Sequence, residues 1–182
     1  MINASVYIIC KNEEKHIKRV LESVKDFDEI IIVDSGSTDR TLDIVKDYTN
    51  NIYHKDWLGF AVQKEYARSL CNNEWVLNLD ADEQLTNELK NEIIKTIDEN
   101  KIDGLNIKIS SSYLGKFNNE KSKFNRRVRF FRKDVGHYPE KLVHESITIN
   151  GKIRNANGFI YDYGTIDLKT HLSKINDYSS LR

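Results

Sequence analysis

Over the first hundred positions, short apolar runs alternate with longer stretches of helical period. Ser5-Val-Tyr-Ile-Ile-Cys10 reads as a buried strand, and after it Ile17, Val20, Leu21 and Val24 recur at the spacing of one helix face. Glu29-Ile-Ile-Ile-Val33 is a second strand, followed by the turn Asp34-Ser-Gly-Ser-Thr-Asp39, in which Ser37 or Thr38 is placed to cap a helix marked by Leu42, Val45 and Tyr48. Asn51-Ile-Tyr-His54 makes a third, short strand, and a helix is predicted around Phe60 to Leu70. Glu74-Trp-Val-Leu-Asn-Leu79 is a fourth strand that runs directly into Asp80-Ala81-Asp82, and Thr86 caps a fourth helix striped by Leu89, Ile93 and Ile97. Strand and helix taking turns in this way call for an α/β fold, a mostly parallel sheet with helices on both faces.

Past residue 100 the period changes to two. Leu105, Ile107 and Ile109 alternate as in a half-buried strand, and Val128-Arg-Phe-Phe131 is another strand. Ile147 to Ile153 reads as a β-hairpin turning on Asn150-Gly151. Leu168, Leu172 and Ile175 lie at helical spacing in a last segment that reaches Arg182 without a stop signal, as in a chain that continues. With no repeat or linker, positions 1–182 are expected to form one domain, a ligand-binding half over 1–100 and a second half over 101–182.

The charges divide along the same boundary. The 28 Lys and Arg balance the 28 Asp and Glu, yet residues 1–100 hold 12 basic and 20 acidic side chains and residues 101–182 hold 16 and 8, which is −8 against +8. Zero overall charge argues against a general nucleic-acid binder, while the asymmetry points to charged partners. Cys10 and Cys71 have no CxxC partner, and buried free thiols of a reducing compartment are expected. The start of the chain lacks a basic segment before an apolar run, and no stretch has the roughly 20 apolar residues of a membrane span, so a cytoplasmic protein is expected.

Ligands of parallel sheets bind beyond the carboxyl ends of the strands. There the chain places Asp80 and Asp82, two carboxylates that converge in a turn and suit a hard cation such as Mg²⁺ with phosphate oxygens; the alternative is plain capping of the helix near Thr86. Asp34 ends the second strand, where a carboxylate accepts hydrogen bonds from a nucleobase or ribose and Gly36 lets a ligand approach the backbone. Lys116 to Lys133 carries eight cations and one acid, Glu120, interleaved with Phe117, Phe124, Phe130 and Phe131. Aromatics among cations can stack bases, but Phe130 and Phe131 sit in a strand pattern and at least one belongs to the core. A solvated basic loop is the commonest meaning of such a run. Trp57 and Tyr113 are available to stack on a sugar ring, though a lone aromatic is more often packing.

Four segments together, Val6 to Glu14, Ile32 to Asp39, Gly59 to Lys64 and Trp75 to Glu83, resemble the family 2 inverting glycosyltransferases of GT-A fold, and within them the bacterial branch that adds a β-linked sugar to the lipopolysaccharide inner core. The likeness continues through Val143-His-Glu145 and Lys174 to Tyr178. It implies a Rossmann-like central sheet with a small antiparallel element. It also implies a nucleotide-sugar donor, UDP-glucose, with Mg²⁺ or Mn²⁺ as cofactor, no nucleic-acid partner, and a saccharide or glycolipid acceptor, phosphorylated in one version, met by peripheral contact at the inner membrane.

Carried over residue by residue, the resemblance implies that Asn12 and Glu14 flank the nucleotide, that Asp34 contacts base or ribose, and that Asp80 lies near the ribose or metal with Asp82 as metal ligand. Inversion needs a general base for the acceptor hydroxyl. The Glu-Asp pair that supplies it in much of the family is missing after residue 100, so Glu145 becomes the candidate, with His144 as second metal ligand or orienting group. Among the cations of the basic run, Arg127 and Arg129 are the candidates for donor phosphates or an anionic acceptor, because the guanidinium fork suits phosphate. Two rivals remain: a nucleotide-sugar-binding protein without turnover, and a phosphatase using Asp80 as nucleophile and Asp82 as acid, whose carboxylate pair ordinarily follows the first strand.

Overall fold

The structure, a computed structural model, describes residues 1–113, 116–117, 125–138 and 147–164. The elements are β1 (Ile2–Cys10), α1 (Ile17–Val24), β2 (Phe27–Asp34), α2 (Thr41–Val45), β3 (Ile52–His54), α3 (Phe60–Ser69), β4 (Trp75–Asp80), β5 (Glu83–Leu85), α4 (Asn87–Glu99), β6 (Gly104–Tyr113), β7 (Lys116–Phe117), β8 (Asn125–Arg132), β9 (Gly136–His137), β10 (Thr148–Ile149) and β11 (Ile153–Asp162). The large sheet runs β3-β2-β1-β4-β8-β6-β11-β5, with β7 on β6; β9 and β10 form a separate antiparallel pair. From β3 to β4 all pairings are parallel, as the alternating pattern requires. Beyond β4 the sheet is mixed, because β8 lies antiparallel to both β4 and β6 while β11 returns parallel to β6.

The strands of the parallel half are apolar on both sides because helices cover both. Val6, Ile8, Ile32, Leu77, Leu79 and Phe130 face α1, α2 and α4, whose Ile17, Leu21, Val45, Leu89 and Ile93 complete one cluster. Tyr7, Ile9, Ile31, Val33, Val76 and Phe131 face the other way onto Ala61 and Ala67 of α3. Full burial of each such aliphatic or aromatic side chain contributes about 1.5–3 kcal/mol. Phe130 and Phe131 are thus both core residues, one on each face. In α1 the buried positions are the four of the predicted stripe, and Thr86 caps α4 by accepting the Leu89 N–H at 3.3 Å. Close approach of β11 to α4 depends on Gly158, where a Cβ would fall 2.5 Å from the Leu89 backbone. Cys10 and Cys71 are buried and unbridged. Among the described residues no helix is long and apolar enough to cross a membrane.

Three local expectations are corrected. Ile147 to Ile153 does not form a hairpin: Thr148–Ile149 pairs with Gly136–His137, and Ile153 instead begins a strand against Gly104 of β6. The chain changes sheets at Asn150-Gly151, where the Asn150 N–H donates to Val135 O and Asp103 accepts from the Lys152 N–H at 2.7 Å. An Asn-Gly turn between alternating runs looks the same whether the runs pair with each other or elsewhere. Neither Ser37 nor Thr38 caps α2; Ser37 turns back onto Asp34, and Asp39 takes the Thr41 N–H instead. The short strand β5 has no counterpart in the sequence reading. The helix expected after Asp167 lies outside the described residues.

Candidate active site

Parallel register brings the acidic strand ends to one edge. Cys10 is level with Asp34 and Ile9 with Asp80, so the two carboxylates flank the end of β1. Asp34 is buried, and its own loop satisfies it: Oδ2 accepts the Gly36 and Ser37 N–H groups at 2.8 and 2.9 Å, and Oδ1 accepts the Ser37 hydroxyl at 2.5 Å. The Cys10 thiol also points at Oδ1, at 3.7 Å. Burial and then the Asp34 charge push that thiol far above its ordinary range, so it stays protonated.

Asn12 and Glu14 sit at the same edge and stitch the loop after β1 to the loop after β2. The Asn12 N–H donates to Ser37 Oγ at 2.9 Å, its Oδ1 accepts from the Thr38 N–H at 2.8 Å, and Glu14 Oε2 accepts from the Arg40 N–H at 3.1 Å. Asn12 takes a left-handed backbone, φ 56°, which Asn tolerates better than most residues. From the other side, Gln63 of α3 donates to Ser35 Oγ at 2.7 Å and to Lys55 O at 2.9 Å.

Asp80 is satisfied by charges brought from far along the chain. Its Oδ1 lies 2.8 Å from Lys64 Nζ and its Oδ2 2.8 Å from Arg129 Nη2. Arg129 also reaches Glu83 Oε1 at 2.8 Å and Asn78 Oδ1 at 2.5 Å, and Glu83 Oε2 accepts the Asp80 N–H at 2.9 Å. A bulge aims it there: the β6–β8 ladder passes from Leu105 opposite Phe130 to Asn106 opposite Val128, leaving Arg129 as the extra residue. Burial opposes ionisation of Asp80, but the Arg129 and Lys64 charges outweigh it and hold the carboxyl well below its usual range. For Glu83 burial wins over the attraction of Arg129, the Asp80 charge adds to it, and its pKa is raised to about 8. Tyr138 closes the network, sharing a hydrogen bond of 2.8 Å with Tyr7 and lying 3.4 Å from Asn78 Oδ1.

Arg127 and Arg129 part company. Arg129 is buried against carboxylates, whereas Arg127 is exposed; both line a cavity of about 200 Å³ beside Asp80, with Lys64 and Arg126. Asp82 is half-buried in the turn after Asp80. Trp57 is half-exposed and meets Phe60 edge to face at 4.7 Å. Glu145 and His144 lie outside the described residues, as does most of the basic run between Lys116 and Arg126. Lys64, Asn78, Glu83 and Tyr138 were not singled out from sequence. Lys64 did leave a signal, since it shares a helix face with Ala61 and Ala67, a core-facing position for which a lysine needs a partner.

Among the described residues no three His, Cys, Asp or Glu side chains are grouped to hold a metal. A Mg²⁺-like ion bound with a diphosphate needs only one or two carboxylates, so the carboxylates at this edge are compatible with one.

Residues 5–152 match the model of glycosyl transferase family 2. The chain belongs to this family. Across 99% of its length it is 36% identical to an uncharacterized glycosyltransferase of Rickettsia typhi, and across 98% it is 33% identical to the lipopolysaccharide core biosynthesis glycosyltransferase LpsC of Rhizobium meliloti. It spans 66% and 69% of the length of these two proteins. Its fold is GT-A: TarS of S. aureus in complex with UDP-GlcNAc superposes with a TM-score of 0.64 at 22% identity, covering 87% of the chain and 57% of TarS. A mannosyltransferase of Pyrobaculum calidifontis, in complex with GDP-Man and Mn²⁺, gives 0.55 at 18% identity, over 75% of the chain and 47% of the enzyme. Membership in a glycosyltransferase family removes the phosphatase reading.

Proposed function

We propose that this family 2 protein transfers a sugar, glucose from UDP-glucose, with inversion onto a saccharide of a bacterial envelope glycolipid such as lipopolysaccharide core. The observation that carries the reading is the pair of carboxylate-bearing strand ends flanking β1, with Asp80 kept ionised by Lys64 and Arg129 beside Asp82. The relation to LpsC supports the acceptor class, and the UDP-GlcNAc complex of TarS supports the donor class.

In this reading the nucleoside lies over the loop after β2. Gly36, at φ 90° and with nothing within 4 Å of where a Cβ would stand, leaves the backbone open to it. A ribose hydroxyl or base N–H reaching Asp34 takes the place of the Ser37 hydroxyl, so Asn12 and Glu14 act by holding the loop that shapes the pocket. Asp82, with the donor diphosphate, would hold Mg²⁺ or Mn²⁺. Such an ion supplies stabilisation of the negative charge on the departing diphosphate. Lys64 and Arg129 keep Asp80 charged and fixed, so the edge needs little reorganisation as charge moves. Glu145 takes the proton from the acceptor hydroxyl, on the face opposite the leaving group.

The test is a donor panel followed by UDP release and sugar transfer, with and without Mg²⁺ or Mn²⁺. UDP should protect the protein against thermal unfolding, and Asp82→Ala should abolish metal-stimulated transfer, a loss on the order of 10²-fold or more. Failure of UDP to bind sinks the reading. Glu145→Gln should keep UDP binding and lose transfer; unchanged transfer removes Glu145 from the role of base.

A further inference from the structure

Among the described residues the cavity beside Asp80 carries an excess of positive charge. Four cations line it: Lys64, Arg126, Arg127 and Arg129. Two carboxylates, Asp80 and Glu83, stand behind Lys64 and Arg129. Among the described residues, four positive charges against at most two negative ones leave an excess of at least two. Among the described residues no carboxylate lines the cavity, and neither Arg126 nor Arg127 is paired with one. Arg126 is braced by backbone instead, its Nη1 donating to Asn106 O at 2.9 Å and Ala156 O at 3.1 Å. Arg127 is exposed at the cavity's rim. A guanidinium fixed by neutral carbonyls and a second one beside it keep their full field for an incoming anion.

Position separates this cavity from the nucleotide. Among the described residues its walls come chiefly from β8, with Asn106 of β6, Asn78, Lys64, Tyr138 and Ile147, and none of the residues 34–41 around Asp34 takes part. It meets the strand edge through Asn78 of β4 and through the pair that grips Asp80. A volume of about 200 Å³ is below the roughly 300–1,000 Å³ of pockets that enclose whole drug-sized ligands, so it suits one substituent rather than a disaccharide.

Resting on the glycosyltransferase reading, we propose that this cavity is the acceptor's oxyanion subsite: Arg126 and Arg127 grip a phosphate or carboxylate carried by the acceptor saccharide and so set its orientation toward the donor at Asp80. The subsite thereby selects anionic acceptors, and it loads after or alongside the nucleotide rather than in competition with it.

Binding of glucose 6-phosphate, glucuronate and glucose to the UDP-saturated protein tests this, with Arg127→Gln as the variant. Arg127 is exposed, so its replacement leaves the fold intact, checked by an unchanged unfolding midpoint. Both charged sugars, or the one whose chemistry fits, should bind about tenfold or more tighter than glucose, and Arg127→Gln should erase most of that preference while UDP affinity holds. If UDP binds but the charged sugars bind no tighter than glucose, the subsite is overturned and the donor reading stands. If UDP displaces glucose 6-phosphate, or Arg127→Gln weakens UDP as much as the sugar phosphate, the cavity serves the donor diphosphate and the acceptor assignment is overturned. Should UDP fail to bind at all, the donor reading falls by itself, and the charged-sugar comparison on the free protein still decides whether the cavity takes an anion.

Discussion

Asp34 and Asp80 end the two strands that flank β1, one residue apart in register, yet they are stabilised by opposite means. Asp34 gathers neutral donors from Gly36 and Ser37 just after it. Asp80 is held by two cations, one of them 49 positions away in sequence. A carboxylate satisfied by its own turn shapes a loop and asks nothing of the rest of the molecule. One satisfied by distant charges ties α3, β4 and β8 together and makes the edge depend on the whole fold. The first half of the chain supplies the loop around Asp34 and Lys64, one of the two charges that fix Asp80, and the second half supplies the other, Arg129.

The comparison breaks if the two residues respond alike to truncation. Asp80→Ala leaves Lys64 and Arg129 buried without their shared partner, and removing one member of a buried pair costs about 3–5 kcal/mol. Because the Asp80 side chain is 35% exposed, the lower end is expected, about 3 kcal/mol. Asp34→Ala strands two loop N–H groups that solvent can reach after a small rearrangement, for a cost of about 1–2 kcal/mol. Urea unfolding of both variants measures the difference; equal losses would show that the Asp80 ion pairs add nothing beyond ordinary hydrogen bonding.

The same contrast explains what the sequence disclosed. Features set by local spacing were legible: the α1 stripe, the Thr86 cap, the parallel half of the sheet and the acidic strand ends. What failed depended on partners far away. Asn150-Gly151 carries the signal of a hairpin, but whether Ile149 and Ile153 face each other is decided by Gly136 and Gly104. Arg129 belonged to a basic run that promised solvent or phosphate, and only the bulge opposite Asn106 turns it inward onto Asp80 and Glu83. The charge halves, −8 and +8, therefore meet at Arg129, a cation of the second half buried against two carboxylates of the first, as well as at the more exposed pairs of Arg132 with Glu74 and of Arg154 with Glu92 and Glu99.

A smaller effect sharpens the Asp80 side through pH. Glu83 has an ordinary value of 4.5 and is raised to about 8 in the folded protein, by burial first and then by the Asp80 charge beside it. Between those values the folded state keeps a proton that the unfolded chain has released, so stability falls as pH rises from about 4.5 toward 8. Asp80 acts in the opposite sense and in another window: its carboxyl lies below the usual range, so its contribution is lost only as pH drops below about 4. Glu83→Gln removes the first slope. Without added divalent ion, its unfolding midpoint should change less than that of the wild type between about pH 5 and 8, whatever the offset between them. Parallel profiles would mean that Glu83 is ionised throughout and that Arg129 neutralises both carboxylates.

The smallest expected effect belongs to the Asp34 side and tests whether its loop shapes a binding surface or is only a turn. Gly36 has φ 90°, a region costly for side chains, but a Cβ there meets nothing within 4 Å. Gly36→Ala therefore adds backbone strain without a clash, about 1 kcal/mol. If the loop is only a turn, that loss of stability is the whole phenotype and UDP affinity is unchanged. If the nucleoside lies against the open backbone at Gly36, the added methyl occupies its place, and UDP affinity falls as well, by roughly fivefold or more. Calorimetric titration of UDP into the variant, set beside its urea midpoint, separates the two: Asp34 either organises a turn for the sheet's sake or organises it for the ligand.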